Sequence, residues 1–254
     1  MKKCFKPVSL VLFTFAFLSS FAQTTPKQVY VIVHGAWGGS WAFKKVDSLL
    51  TEKGSIVYRP SLTGQGERVH LASKEVGLKT HINDVVNMIL YEDLYEVILV
   101  GHSYGGMVVT GVADSLPKRI KKLIYLDAFV PDSGQSALTL LAARDVWFKK
   151  MNVNGFAMPA WVAANKLPPK DVPQSYKTFD DTLILKNKLR LQIPTTYILT
   201  VDKGKNANED DFYTQAEKAK HKGWAVVQLE ANHNPQWSTP EKLVEMIYDI
   251  GNKK

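Results

Sequence analysis

The sequence predicts an α/β domain with a mostly parallel central sheet and helices on both faces. Short apolar, β-branched runs alternate along the chain with amphipathic helical stretches, a pattern typical of parallel sheets. One of these runs passes through a glycine-flanked turn directly into a helix. The chain has 254 residues, of which 45% are hydrophobic and 22% are charged, and this composition suits one folded domain with a sizeable core.

Six runs have the composition of β-strands, and helical periodicity fills most of the intervals between them. The strand-like runs cover residues 29–33, 55–58, 97–100, 123–126, 195–200 and 225–229. The helical stretches lie around residues 43–50, over 81–91, over 210–222 and at the C-terminus. For the last helix we expect Ser238 to be the N-cap and Glu241 to complete a capping box.

One stretch interrupts the alternation of strands and helices. The segment of about sixty residues between Pro131 and Ile193 has no clear strand and is rich in aromatic and proline residues. A structureless loop of that length is uncommon in a compact domain. We therefore predict a small, mostly helical cap over residues 131–193, inserted into a domain that covers residues 23–254.

The N-terminus has the composition of a secretory signal peptide. Three lysines precede an apolar run over residues 8–21, and small residues precede a cleavage position at Gln23. The run is short for a membrane anchor, which is the alternative. We predict a leader over residues 1–22, a secreted or periplasmic mature chain, and no stable membrane span after cleavage. The only cysteine, Cys4, lies in the leader, so the mature chain cannot form a disulfide.

The positive charge of the chain does not indicate a nucleic-acid partner. The formal net charge is +8, and removal of the three leader lysines lowers it to +5. The remaining charge is scattered except for a cluster of Lys118, Arg119, Lys121 and Lys122. We interpret this cluster as a solvated loop and expect no binding to nucleic acid. No feature of the sequence predicts an oligomeric state.

The most informative motif is the turn Gly101-His102-Ser103-Tyr104-Gly105, which lies between two apolar runs. A serine on a sharp strand-to-helix turn exposes its hydroxyl, and the glycines on either side let strand and helix approach closely. The N-terminus of the following helix favours developing negative charge. We predict that Ser103 is a nucleophile; the alternative is a glycine-rich turn with an incidental serine.

A serine hydroxyl needs a base to take its proton and a third group to orient that base. In proteins with this type of serine turn the order along the chain is serine, acid, histidine. His233 follows the last predicted strand, so we predict that it is the base. We expect His102 to turn away from the hydroxyl and His34 to line the oxyanion loop. The histidines expected to have structural or solvated roles are His70, His81 and His221.

Two aspartates are candidates for the acid. Asp127 ends the strand-like run 123–126 among apolar neighbours, where a carboxylate is costly to bury unless it has a partner such as a histidine. Asp202 follows the run 195–200, where the acid usually lies, but it falls one residue short of the usual position. We favour Asp127 and keep Asp202 as the alternative.

The tetrahedral intermediate of acyl transfer needs two backbone donors for its oxyanion. We predict that one is the amide of Tyr104 and the other the amide of Ala36, which lies in a glycine-rich loop after the first strand. A phosphate-binding loop is the alternative, but the mature chain lacks its fingerprints. It also lacks paired histidine or cysteine clusters, so we expect no metal.

Four segments resemble one branch of the α/β-hydrolase superfamily. These segments are His34-Gly35-Ala36-Trp37, Leu62-Thr63-Gly64-Gln65-Gly66-Glu67-Arg68, Gly101-His102-Ser103-Tyr104-Gly105-Gly106-Met107 and Tyr125-Leu126-Asp127-Ala128-Phe129-Val130-Pro131. The branch holds bacterial esterases of small esters and is similar to plant methyl esterases, salicylate-binding esterases and hydroxynitrile lyases. The resemblance implies an α/β-hydrolase fold with a helical lid and a cofactor-free Ser-His-Asp esterase.

The resemblance also bears on the acid and on the type of reaction. Some lipases of this fold carry the acid in a similar Leu-Asp context, and members with the Leu-Asp-Ala-Phe stretch often lack an aspartate after the later strand, which supports Asp127. Hydroxynitrile lyases carry a threonine in the oxyanion loop and a lysine after the catalytic histidine. The matching residues here are Gly35 and Asn234, and both favour an esterase, because asparagine lacks the charge that stabilises departing cyanide.

Together these patterns predict an exported carboxylic-ester hydrolase that acts through an acyl-enzyme on small, hydrophobic or aromatic esters. We expect the substrate pocket to be lined by His34, Trp37, Trp147, Phe156 and Trp161. Two alternatives remain at this point. One is a C–C lyase acting on cyanohydrins, and the other is a small-ligand-binding protein of the same fold with slow turnover.

Overall fold

A parallel sheet of six strands forms the centre of the protein. The computed structural model describes residues 1–2, 27–141 and 145–253. The strands within these residues are β1 (Val29–Val33), β2 (Ile56–Tyr58), β3 (Val97–His102), β4 (Ile120–Leu126), β5 (Asn152–Val153), β6 (Phe156–Ala157), β7 (Gln174–Ser175), β8 (Thr195–Val201) and β9 (Ala225–Glu230). The central sheet has the order β2-β1-β3-β4-β8-β9, and all neighbouring strands in it are parallel. The predicted α/β fold class is confirmed, and each of the six predicted strands overlaps one of these six.

Helices connect most of the strands. They are α1 (Lys44–Glu52), α2 (Leu78–Tyr91), α3 (Gly105–Ser115), α4 (Ala137–Leu140), α5 (Asp145–Met151), α6 (Lys177–Asp180), α7 (Tyr213–His221), α8 (Pro235–Ser238) and α9 (Pro240–Asn252). Short 3-10 turns cover Ser40–Phe43, Gly66–Leu71, Pro117–Arg119, Lys188–Gln192 and Ala207–Glu209.

Both faces of the sheet are buried, and β3 shows this most clearly. Val97 and Leu99 pack into a hydrophobic cluster that includes apolar residues of α2 and α3. Ile98 and Val100 pack on the opposite face with residues of α1 and α9. A strand covered on both faces is apolar throughout rather than alternating, as the sequence of β3 is. The carboxyl ends of the strands are the edge at which open α/β sheets bind ligands.

The turn from β3 to α3 depends on glycine because the backbones meet closely there. A Cβ atom at Gly101 would lie 2.6 Å from Cγ2 of Val109, and one at Gly105 would lie 2.6 Å from the carbonyl oxygen of Val33. A Cβ atom at Gly106 would overlap the carbonyl oxygen of Phe129. The absence of side chains at these positions lets α3 begin directly against β1 and the loop after β4.

The segment between β4 and β8 contains the short helices α4, α5 and α6 and a small antiparallel sheet of order β5-β6-β7. The sequence predicts helices in this segment but no strand. The difference has a physical cause, because strands of two residues are too short to show an alternating pattern. β5 and β6 form a local hairpin around Asn154-Gly155, a turn that the prediction missed. β7 joins them through a distant pairing, in which Phe156 lies opposite Ser175 and Ala157 lies opposite Gln174.

The start of the last helix differs from the prediction. Ser238 is the last residue of α8, and its Oγ lies 3.3 Å from the carbonyl oxygen of Asn234. Thr239 precedes α9, and no side chain caps that helix. The expected N-cap at Ser238 is therefore wrong, because the chain first forms a separate helical turn that begins at Pro235.

The basic cluster after α3 also differs from the prediction at one residue. Lys118 and Lys121 are exposed, but the side chain of Lys122 is buried on β4. Its Nζ donates to the carbonyl oxygen of Ile250 at 2.6 Å and to that of Lys253, at the end of α9. The C-terminus of a helix favours a cation, so Lys122 has a structural partner and does not belong to a solvated loop.

Most of the predicted leader, residues 3–22, lies outside the described residues. In residues 27–141 and 145–253, every helix is too short or too polar to cross a membrane.

The close packing at Gly106 leads to a stability prediction. We expect Gly106→Ala to lower the free energy of unfolding by about 1–3 kcal/mol, because the added methyl group must displace the backbone of Phe129. Gly38→Ala is the control, since a Cβ atom there has its nearest neighbour at 3.8 Å. Urea unfolding measures both variants. Equal stabilities for the two variants would show that the turn tolerates a side chain.

Candidate active site

Ser103 lies on a strained turn at the carboxyl end of β3. Its φ is +54°, a left-handed conformation that non-glycine residues rarely adopt. Three backbone hydrogen bonds hold it, because its N–H donates to Leu126 and its carbonyl oxygen accepts from Gly106 and Phe129, at 3.0–3.2 Å. Residues in such conformations persist where the surrounding structure over-determines them, and they cluster at active sites.

His233 lies within hydrogen-bonding distance of this serine. Its Nε2 is 3.1 Å from Oγ of Ser103, although the two residues are 130 positions apart in the sequence. His233 lies on the loop between the edge strand β9 and α8, so the imidazole reaches the turn across the carboxyl ends of β8 and β4. In the neutral imidazole with a proton on Nδ1, Nε2 is an acceptor for the serine hydroxyl.

Asp127 binds the other nitrogen of the same imidazole. Its Oδ2 is 2.6 Å from Nδ1 of His233, and its Oδ1 accepts from the backbone N–H of Thr200 at 3.1 Å. Asp127 is 0% exposed, and its φ of +45° is also left-handed. A buried carboxylate is stable when hydrogen bonds satisfy it, and here both oxygens have donors.

The alternative acid, Asp202, lies away from the imidazole nitrogens that bind Ser103 and Asp127. Its carboxylate pairs with Nζ of Lys205 at 2.8 Å, and its side chain is 45% exposed. This is a solvated pair within one turn of the loop after β8.

Two aromatic side chains flank His233. Phe212 stacks on the imidazole with ring centroids 4.9 Å apart and an angle of 6° between the planes. His102 turns away from Ser103, and its Nε2–H donates to the backbone carbonyl of His233 at 2.8 Å. Sequence reasoning missed Phe212, and no local pattern could have found it, because it contacts His233 only through the folding of two separate loops.

The two predicted oxyanion donors have free N–H groups. Within the described residues, no hydrogen bond uses the backbone N–H of Ala36 or Tyr104. His34 supports the first of them. Its Nε2 accepts from the N–H of Leu62 at 3.1 Å, which leaves the proton on Nδ1, and Nδ1–H donates to the carbonyl oxygen of Gly35 at 2.7 Å.

A cavity of about 340 Å³ opens beside Ser103 and His233. Its apolar lining consists mostly of aromatic rings, namely Trp37, Trp41, Phe43, Trp161 and Trp237. Trp161 is 53% exposed and meets Trp37 edge-on, with ring centroids 4.9 Å apart. Polar side chains, among them Lys166, Asp171 and Asn234, complete the lining. A concave site that combines aromatic rings with convergent polar groups is typical of sites for small ligands.

Three of the five predicted pocket residues line this cavity, namely His34, Trp37 and Trp161. Phe156 lies on β6 and is not among the lining residues. The side chain of Trp147 lies outside the described residues. Sequence reasoning did not assign Trp237 to the pocket, although it is only four positions after His233 and stacks on Trp41 at 5.6 Å.

Burial keeps three histidines neutral. Desolvation lowers the pKa of His34 to about 4, that of His81 to about 4 and that of His102 to about 3. His81 lies beneath the serine turn, where its Nε2–H donates to the carbonyl oxygen of Thr63 and its Nδ1 accepts from the hydroxyl of Tyr104, each at 3.0 Å. All three side chains act as fixed hydrogen-bonding groups.

In the part of the chain that the structure describes, no group of three or more histidine, cysteine, aspartate or glutamate side chains could hold a metal ion.

A parallel α/β sheet with a strained serine, a histidine and a buried aspartate at its carboxyl edge defines the class of α/β hydrolases. The model of the alpha/beta hydrolase family matches residues 30–246, so the chain belongs to this family. It is a hydrolytic enzyme of the esterase class.

Curated proteins with similar sequences align with most of this chain. It is 35% identical over 242 residues to a carbendazim hydrolyzing esterase from Nocardioides sp. (strain SG-4G), covering 87% of this chain and 99% of that protein. It is 23% identical to methylesterase 3 of Arabidopsis thaliana, covering 89% and 97% of the two chains. An extracellular α/β-hydrolase from a Paenibacillus species superposes with a TM-score of 0.75 at 23% identity, covering 89% of this chain and 100% of that chain, and this likeness shows the fold.

The buried histidines lead to a prediction about pH. A pKa lowered on folding means that the unfolded chain binds more protons between about pH 4 and 6.5, so stability is lost as the pH falls through this range. We expect each such histidine to contribute a loss of about 1 kcal/mol per pH unit. In His81→Gln, urea unfolding between pH 7 and 5 should show a shallower pH dependence than in the wild type.

His221→Asn is the control for this measurement, because His221 is exposed. Its pH dependence should equal that of the wild type. An unchanged slope in His81→Gln would mean that His81 titrates alike in the folded and unfolded chains.

Proposed function

We propose that the protein hydrolyses small carboxylic esters with Ser103 as nucleophile, His233 as general base and Asp127 as the orienting acid. The observation that carries this proposal is the continuous chain of hydrogen bonds from Asp127 through His233 to Ser103, at 2.6 and 3.1 Å. A nucleophile bonded to a base, and a base bonded to a buried orienting group, is the arrangement that nucleophilic catalysis requires.

The first half of the reaction forms an acyl-enzyme. Oγ of Ser103 attacks the ester carbonyl carbon while Nε2 of His233 takes the hydroxyl proton. The carbonyl π electrons move to the oxygen, and the free N–H groups of Ala36 and Tyr104 receive the resulting oxyanion. The intermediate collapses, the bond to the leaving oxygen breaks, and the alcohol departs with the proton from Nε2.

Water completes the reaction in the second half. His233 removes a proton from the water molecule, whose oxygen attacks the acyl carbon. The second tetrahedral intermediate releases the carboxylic acid, and Ser103 regains its proton. Asp127 keeps the proton of Nδ1 directed toward itself throughout, and its negative charge stabilises the imidazolium that forms in each half-reaction.

The geometry favours Asp127 over Asp202 as the acid. Asp127 accepts directly from His233 and is fully buried, so its charge acts on the imidazole without screening by solvent. Asp202 has its own cationic partner in Lys205 and is partly exposed.

The cavity supports small substrates with a hydrophobic or aromatic part. Its volume of about 340 Å³ suits a compact ester, and the faces of its tryptophan rings offer stacking surfaces. The names of two relatives, a carbendazim hydrolyzing esterase and a methylesterase, are consistent with small esters and related acyl compounds. We further propose that residues 1–22 act as a leader and that the enzyme works outside the cytoplasm.

The same site is less suited to cleavage of cyanohydrins. A Cβ atom at Gly35 would lie 3.1 Å from Cβ of Ser103, so the loop has little room for a threonine. Asn234 lines the cavity next to His233 and carries no charge to stabilise cyanide.

The nucleophile is tested by rapid-mixing kinetics with p-nitrophenyl acetate. We expect the wild type to release a burst of nitrophenol equal to the enzyme concentration, followed by steady turnover, because the acyl-enzyme accumulates. Ser103→Ala should lose the burst and reduce the rate by at least about 10³-fold. Full activity in Ser103→Ala would refute the mechanism. A wild type without steady turnover would favour a ligand-binding role.

The acid is tested by a matched pair of variants, Asp127→Asn and Asp202→Asn. We expect Asp127→Asn to lower kcat by about 10³–10⁴-fold at neutral pH, because an amide stabilises the wrong tautomer of His233. Asp202→Asn should stay within about twofold of the wild type, since only a solvated pair is lost. Both variants are assayed on esters that differ in acyl and alcohol parts. The reverse order of effects would assign the acid to Asp202.

A further inference from the structure

Trp37, which follows the proposed oxyanion donor Ala36, is held by the segment between β4 and β8. Its N–H donates to Oε1 of Gln174 at 2.8 Å, and its carbonyl oxygen accepts from the N–H of Val172 at 2.9 Å. Its indole Nε1–H donates to the carbonyl oxygen of Ala157 at 3.0 Å. The φ of Trp37 is +63°, a strained conformation for a large side chain, and these three bonds hold it there.

The direction of the N–H of Ala36 depends on the two peptide planes that flank this residue. Peptide groups are planar, so only rotations about the bonds to Cα can turn them. The plane between Gly35 and Ala36 contains the donor N–H, and its carbonyl end is held by Nδ1–H of His34. The plane between Ala36 and Trp37 is held at its N–H by Gln174. With both planes anchored, Ala36 has little freedom to rotate.

Gln174 is well suited to act as such an anchor. It is 1% exposed and lies on β7, opposite Ala157 of β6. Its Nε2 donates to Oγ1 of Thr178 at 2.7 Å, and that hydroxyl donates to the carbonyl oxygen of Ser175 at 2.7 Å. These bonds orient the amide so that Oε1 faces the N–H of Trp37. A buried side chain oriented by its neighbours is the kind of support that keeps a catalytic group in place.

We propose that Gln174 is a positioning residue for the oxyanion hole, acting through Trp37 on the N–H of Ala36. The inference rests on the proposed function, because it needs the N–H of Ala36 to receive the oxyanion. Gln174 is not among the residues that line the cavity beside Ser103. The segment between β4 and β8 therefore contributes to the chemistry as well as to the walls of the cavity.

A donor that receives only the oxyanion acts on the transition state and leaves the binding of the ground state nearly unchanged. Loss of the anchor at Trp37 should therefore lower kcat with little change in KM. It should also weaken binding of a trifluoromethyl ketone, since the adduct of this probe with Ser103 carries a negatively charged oxygen. If Gln174 only stabilised the fold, its loss would change neither kcat per active site nor the affinity for the ketone.

The experiment compares Gln174→Met, which keeps the size of the side chain but removes the amide, with Ser175→Ala on the same strand. Ser175 is also buried, and its Oγ donates to the carbonyl oxygen of Lys74 at 3.0 Å, so it ties the segment to the rest of the protein without contacting Trp37. Rates are normalised by the amplitude of the nitrophenol burst.

We expect Gln174→Met to lower kcat by at least about tenfold, below the 10²–10³-fold loss typical of removing an oxyanion donor outright. KM should change by less than about threefold, and the affinity for phenyl trifluoromethyl ketone should fall with kcat. Ser175→Ala should keep kcat within about twofold. If Gln174→Met does not fold, Gln174→Asn, whose side chain is one methylene too short to reach Trp37, takes its place with the same expectations.

Two results would overturn the inference. One is a kcat within twofold of the wild type in the Gln174 variant, and the other is an equal fall of kcat in Ser175→Ala. Ser103→Ala, assayed in parallel, separates this failure from failure of the proposed function. Activity that depends on Ser103 but not on Gln174 overturns only the inference, whereas activity independent of Ser103 overturns both.

Discussion

The hydrogen bond between the buried carboxylate of Asp127 and the imidazole of His233 is the interaction on which the site depends. It joins the end of β4 to the loop after β9, and the second carboxylate oxygen binds the N–H of Thr200 on β8. A buried carboxylate without these donors would be strongly destabilising. The same bond fixes the imidazole so that its other nitrogen meets Ser103. Packing of the sheet and the geometry of the proposed catalytic groups are therefore coupled at one residue.

Three non-glycine residues with left-handed backbones, Trp37, Ser103 and Asp127, lie beyond the carboxyl ends of three adjacent strands. Each is held by a hydrogen bond to a different part of the chain. Trp37 binds Gln174, Ser103 binds the carbonyl of Leu126, and Asp127 donates its N–H to the carbonyl of Ile198. The strain at this edge is offset by the rigid sheet and by the segment between β4 and β8, which is how strained residues persist at functional sites.

The segment between β4 and β8 serves two parts of the site. Trp161 and Val162 line the cavity, and Gln174 and Ala157 hold the loop that carries the proposed oxyanion donor. The central sheet supplies the proposed nucleophile, base and acid. In this arrangement the segment forms one wall of the cavity, and substitutions at its contacts with Trp37 bear on the rate.

The sequence by itself determined the fold class and the order of the strands along the chain, because apolar periodicity and glycine-rich turns are local properties. It also singled out Ser103 and His233 from their positions after predicted strands. The tertiary structure alone decided which aspartate meets the imidazole, since Asp127 and Asp202 both follow strands and only folding brings one of them to Nδ1. The same holds for Phe212, for Gln174 and for the pairing of β6 with β7. Their contacts join segments far apart in the chain, and no local pattern encodes such contacts.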